Sequence, residues 1–134
     1  MAGYDWQIHA VCNMHEEFPQ YKHIGDYHTH GLDKYGHKEL CLPMNFRPEA
    51  AVAVLNTIGE RISEGAVYFE GLYEDQFPTS VEFVSFPDVD ELFVILPDSN
   101  GRFPDDPDGC SEYYRDQYKH AELIAKVHKG IHKK

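Results

Sequence analysis

The chain has 134 residues, 42% of them hydrophobic, and a formal net charge of −11 with an isoelectric point near 5.1. That length fits a single domain over residues 1–134, able to bury a core without disulfides or a structural metal. The acidic balance repels phosphate backbones, which argues against nucleic acid as a partner, and no apolar run approaches the roughly 18–20 residues of a membrane span, so neither nucleic acid nor membrane is expected.

From the N-terminus, residues 4–14 read at two periods. Tyr4, Trp6 and Ile8 alternate as in a strand, while Trp6, Ala10 and Asn13 space as in a short helix, and the choice stays open. After Phe18-Pro19 the run YKHIGDYHTHGL reads as extended up to a turn near Gly31. KELCLPMNF then places Leu40, Leu42 and Met44 on one face of a strand. RPEAAVAVLNTIGERISEG is an amphipathic helix. Pro48 and Glu49 fill its first turn, Ala51, Val54, Leu55, Ile58 and Ile62 recur at helical spacing, and Gly65 stops it.

AVYFEGLYE, SVEFVSF and ELFVIL read as three strands, the last an unbroken apolar run of the kind buried on both faces. A turn at residues 87–90 makes the last two an antiparallel hairpin. PDSNGRFPDDPDGCSE is a loop by composition. Ser111 then caps a C-terminal helix over about 111–132, with an apolar stripe of Tyr114, Tyr118, Ala121, Ile124 and Ile131. Its cations Lys126, Lys129, Lys133 and Lys134 suit a helix C-terminus. The sum predicts an α+β domain: an antiparallel or mixed β-sheet with one long packed helix and a terminal helix outside it.

The chemistry concentrates in DYHTHGLDKYGHKEL, residues 26–40. His28 and His30 are two apart, so on a strand their imidazoles leave the same face and can share one ion. After the turn at Gly31, Asp26, Asp33, His37 or Glu39 is placed to complete the set, leaving a position open for an activated water. The pattern alone is weak, because nine histidines in 134 residues give about half an HxH pair per chain by chance. The competing reading is a turn fixed by hydrogen-bonded side chains.

Other signals are fainter. Asp98, Asn100, Asp105, Asp106 and Asp108 gather oxygens without the alternate spacing or closing Glu of a calcium loop. Cys12, Cys41 and Cys110 form no CxxC pair, which points to reduced thiols and a cytoplasmic protein, as does a start without a basic segment and apolar block. Cys41 reads as an inert buried thiol and Cys110, beside a helix start, as the one whose thiolate is favoured. GxSxG, P-loop and GxGxxG motifs are absent.

Three stretches, in order HTHGLDKYGHKEL, RPEAAVAVLNTIGERISEG with AVYFEGL, and ILPDSNGRFPDDPDG, resemble a bacterial domain family of unknown function in the four-thousand-two-hundred series. Its members read Y-T-x-G-L or H-T-H-G, then G-H-P-E-L, a leucine-rich helix ending in Gly, and G-R-F-P-W. The likeness runs from about residue 27 to 110. It places His28, Gly31 and Leu32, then Gly36, His37 and Glu39, then Gly101, Arg102, Phe103 and Pro104 at motif positions. Lys38 stands where the family has Pro, and Asp105 where it has Trp. The resemblance implies that His28, His30, His37 and Arg102 share a surface or pocket, and it implies no activity.

Two function classes follow. The sequence favours a non-catalytic protein-binding or regulatory module of immunity type, meeting a basic protein through its acidic surface and Tyr113, Tyr114 and Tyr118, with homodimerisation through an exposed edge strand as a variant. The alternative is a small hydrolase-like enzyme using a divalent transition metal such as zinc. There His28, His30 and His37 are ligands, His37 or Glu39 is the general base, and Arg102 orients an anionic substrate.

Overall fold

The computed structural model describes residues 5–11, 14–74 and 76–132, except the side chains of residues 15 and 130–132. Tyr4, Cys12, Asn13, Lys133 and Lys134 lie outside the described residues, as does the side chain of Ile131. Strands β1 (Gln7–Val11), β2 (Asp26–His30), β3 (Glu39–Leu42), β4 (Gly71–Tyr73), β5 (Val81–Val84) and β6 (Glu91–Ile95) form one sheet. Their order is β1-β2-β3-β6-β5-β4. Every pairing is antiparallel except β3 with β6, so the sheet is mixed and the fold is α+β.

Side-chain alternation along the central strands creates two cores. Leu40, Leu42, Leu92, Val94, Val81 and Phe83 face α2 (Pro48–Ser63), which returns Ala51, Leu55, Ile58 and Ile62. The odd-numbered neighbours Cys41, Phe93 and Ile95 face the other way, against Ala121, Ile124 and Ala125 of α4 (Gln117–His132). The apolar run of β6 is thereby explained, since it is covered on both faces. α2 has Pro48 at its start and Gly65, at φ +109°, just after its end.

The ambiguous N-terminal segment resolves as β1 followed by one turn of helix, α1 (Met14–Glu17). Two expectations need correction. Of AVYFEGLYE only residues 71–73 pair as a strand, because Gly71 at φ +140° breaks the extended run before it. The final helix is interrupted at Asp116: Ser111 precedes a short α3 (Glu112–Arg115) without a side-chain cap bond. At the start of α4 the buried Gln117 amide instead bonds both the N–H and the C=O of Leu96, extending the hydrogen bonding of β6 onto the helix. No helix among the described residues is long and apolar enough to cross a membrane.

The entry to β2 needs glycine. A Cβ on Gly25 would lie 2.3 Å from the Met44 carbonyl oxygen, where the Asn45 N–H bonds the His23 carbonyl at 2.8 Å. Gly25→Ala should therefore cost about 1–3 kcal/mol in a urea melt, as overpacking does. An unchanged midpoint would show that the two backbones separate freely.

Candidate metal centre

β1 and β2 pair in a register that sets His9 opposite His28 and Gln7 opposite His30. Opposite residues of an antiparallel pair share a face, and so do residues two apart on one strand. His9, His28 and His30 therefore converge on the α4 side of the sheet. Their ring centroids lie 4.3 Å (His9 to His30), 5.0 Å (His28 to His30) and 5.6 Å (His9 to His28) apart. One ring nitrogen from each lies within 4.8 Å of the others. His9 and His30 are exposed and His28 is half-buried, so the group opens to solvent.

Beneath it runs a chain of charged side chains. His28 Nδ1–H donates to Asp26 Oδ1 at 2.9 Å, which leaves Nε2 with the lone pair. The other Asp26 oxygen meets His128 Nε2 at 2.9 Å, and His128 Nδ1 bonds Glu91. Cys41 Sγ also donates to Asp26, at 3.4 Å. Asp26 comes from β2, Glu91 from β6 and His128 from the last turns of α4. Burial would raise the Asp26 carboxyl, but its bonds to His128 and His28 hold it well below the usual carboxylate range. Burial likewise lowers the His128 imidazole, and the two carboxylates outweigh it and raise it to about 10. His128 is thus an imidazolium at neutral pH. Burial, with His28 and His9 close by, holds the His30 imidazole below its ordinary value, in the neutral form that binds metal.

A cavity of about 330 Å³ opens beside these groups, walled by Val11, Met14 and Val127 as well as by His28, His30 and His128. Its lining contains no Lys or Arg among the described residues.

Other residues singled out in the sequence lie elsewhere. His37 is buried, with Nδ1–H donating to the Lys38 carbonyl at 2.8 Å and Nε2 accepting the Tyr68 N–H at 3.0 Å. Both nitrogens are occupied, so it is no ligand as it stands. Glu39 accepts the Thr29 hydroxyl and the N–H groups of Gly31, Leu32 and Asp33, closing the 3₁₀ turn Leu32–Tyr35. Arg102 is exposed in the loop after β6, at the opposite end of that strand from Glu91, and is absent from the cavity wall.

The oxygen-rich loop is organised by Asp98, whose carboxylate accepts the N–H groups of Asn100, Arg102 and Ser111. Its donors are the loop's own backbone. Cys110 corrects an expectation: burial and the nearby Asp98 raise its thiol, so the thiolate is disfavoured. Cys41, fully buried, has its thiol pushed far up. The C-terminal lysines make surface pairs, Lys126 with Glu122 and Lys129 with Asp88.

No family model, curated protein or solved structure matches the chain. Within the stretches HTHGLDKYGHKEL and ILPDSNGRFPDDPDG, His37, Glu39 and the backbone of Arg102 hold turns and strand ends together. His9 and His128, by contrast, lie outside those stretches. Glu39→Ala should accordingly destabilise the protein by roughly 2–3 kcal/mol, through four orphaned donors, while leaving zinc stoichiometry of the folded protein unchanged. Loss of zinc from a folded Glu39→Ala protein would place this carboxylate in the centre instead.

Proposed function

We propose that the chain is a small metal-dependent, hydrolase-like enzyme whose divalent ion, zinc by ligand type, is held by His9, His28 and His30. The convergence of three imidazoles from two paired strands carries this reading. Ligands at about 2.0–2.1 Å from a tetrahedral ion sit about 3.3–3.4 Å apart, which side-chain rotation reaches from the observed spread. Asp26 behind His28 supplies the carboxylate that orients a ligating imidazole and strengthens its donor nitrogen. Three protein ligands leave a fourth position for water, whose proton is lost near neutral pH when bound to zinc. The adjacent cavity, which among the described residues adds Glu17, Asp26 and Glu91 to its apolar walls and no Lys or Arg, favours a small uncharged or amine-bearing substrate over a carboxylate or phosphate.

The test is zinc content of tag-free protein purified without chelators, together with hydrolysis of small neutral esters and amides. Stoichiometric zinc that disappears in His9→Ala/His30→Ala with the circular dichroism unchanged supports the reading. Absence of zinc from wild type after reconstitution would sink it.

A protein-binding role rests on a different surface. Val67, Phe69 and Leu72 are 61%, 68% and 52% exposed, grouped on and beside the edge strand β4. A partner presenting an apolar strand flanked by basic residues would suit that edge and the net charge of −11. The tyrosines of the terminal segment are engaged inside the fold: Tyr113 bonds the Asn45 carbonyl, Tyr118 bonds Glu82, and Tyr114 packs on Phe46. Salt-sensitive binding lost in Phe69→Ser would support this second role.

A further inference from the structure

We propose a second cation seat directly below the first, formed by Asp26, His28 Nδ1 and His128 Nε2, so that His28 bridges two ions. The proposal rests on the three-imidazole reading, because the two seats share His28. One donor atom from each of the three lies within 4.8 Å of the others. The same geometry supplies the orienting partner. Glu91 holds His128 through Nδ1, on the far side of the ring from Asp26, so Nε2 is the nitrogen aimed at the seat. This repeats, at His128, the carboxylate–imidazole arrangement that Asp26 makes at His28 when only the first ion is bound.

Charge argues in the same direction. Asp26 is 3% exposed, and the Glu91 and His128 side chains are 14% and 12% exposed. Two carboxylates are thus drawn under α4 around one histidine, and among the described residues no Lys or Arg lines the cavity above them. Buried carboxylates are tolerated when paired or bound to metal. A divalent ion in the seat would replace two protons charge for charge while keeping the buried carboxylate paired. On binding, the ion displaces the proton between His128 and Asp26 and the proton between His28 and Asp26. Both protons leave to solvent. His28 becomes an imidazolate with one nitrogen on each ion, and His128 becomes a neutral ligand. Zn²⁺ suits this mixed N/O set.

The experiment titrates Zn²⁺ into chelator-treated, full-length protein and counts the metal retained after desalting. Wild type, His128→Gln and His9→Ala/His30→Ala are compared, with circular dichroism on each. The expected result is two zinc ions in wild type and one in His128→Gln. In Glu91→Gln the second site should weaken roughly 10–100-fold while the first is unaffected. One zinc in wild type that His128→Gln leaves in place overturns the second seat and spares the three-imidazole centre. One zinc lost in both variants means a single mixed centre and also overturns it. No zinc in any protein removes both readings. Should His128→Gln fail to fold, Cu²⁺ titration of wild type followed by electron paramagnetic resonance decides. A first-equivalent signal that weakens on the second equivalent reports coupling through the shared imidazolate, and two additive, undiminished signals overturn the bridge.

Discussion

His28→Ala is expected to lose zinc from both seats, whereas Asp26→Asn should weaken the first seat by roughly 10–100-fold. The gradation follows from position. In the proposed centre His28 would contribute its own nitrogen to the ion, while Asp26 would reach the first seat through the Nδ1–H of that ring. Competition with a chromophoric chelator measures both. Affinity should also fall as pH drops below about 6, since protons compete for the imidazoles. Equal affinities in wild type and His28→Ala would remove the imidazole centre, and binding unchanged at pH 5 would move the ligands to the carboxylates.

In chelator-treated protein, His128→Ala should cost about 3–5 kcal/mol at pH 6, because it removes the charged partner shared by the buried Asp26 and the largely covered Glu91. That is a large share of the roughly 5–15 kcal/mol that holds a domain folded. The pH dependence has a definite sign. The folded-state value of His128, about 10, lies above the ordinary 6.5, so its stabilisation is complete below about 6.5 and is lost as pH rises through 10. Asp26 is depressed from 3.8. Its contribution is complete above the ordinary carboxylate range and is lost as pH falls below it. Both act fully between about pH 4 and 6.5. Urea melts at pH 6 and pH 10 should show the mutant and wild type converging at the higher pH, and a constant gap would assign the loss to packing of α4 instead of to charge.

Much of the scaffold was legible in the residues because it depends on local periodicity. The Pro48 start, the apolar spacing from Ala51 to Ile62 and the Gly65 stop specify α2. The pairing of β5 with β6 follows from two apolar runs around a short turn. AVYFEGLYE misled because its apolar and aromatic content suits a strand, while among the described residues the chain there pairs with no strand before Gly71. In the candidate site, HxH identified His28 and His30 as neighbours on one face. His9 was hidden by a segment readable at two periods. His128 was hidden among lysines whose surface role at a helix end was sufficient explanation for them.

His37 and Glu39 show the complementary difficulty. Their residue types and spacing fit metal ligands, yet the Tyr68 N–H and the three N–H groups of residues 31–33 take their acceptor atoms. Whether a histidine or carboxylate is available for chemistry depends on which backbone donors fold against it, and composition does not record that.

The sequence by itself determined the class of fold, the principal helix, the doubly covered strand β6 and the shared face of His28 and His30, since each follows from a repeat of two or 3.6 residues. Only the tertiary structure decided the rest. Strand register set His9 opposite His28, and the path of α4 delivered His128 to Asp26 across 102 residues of chain. The reason is physical: periodicity states which face a side chain takes, whereas the element that covers that face is chosen by burial and charge pairing summed over the whole molecule.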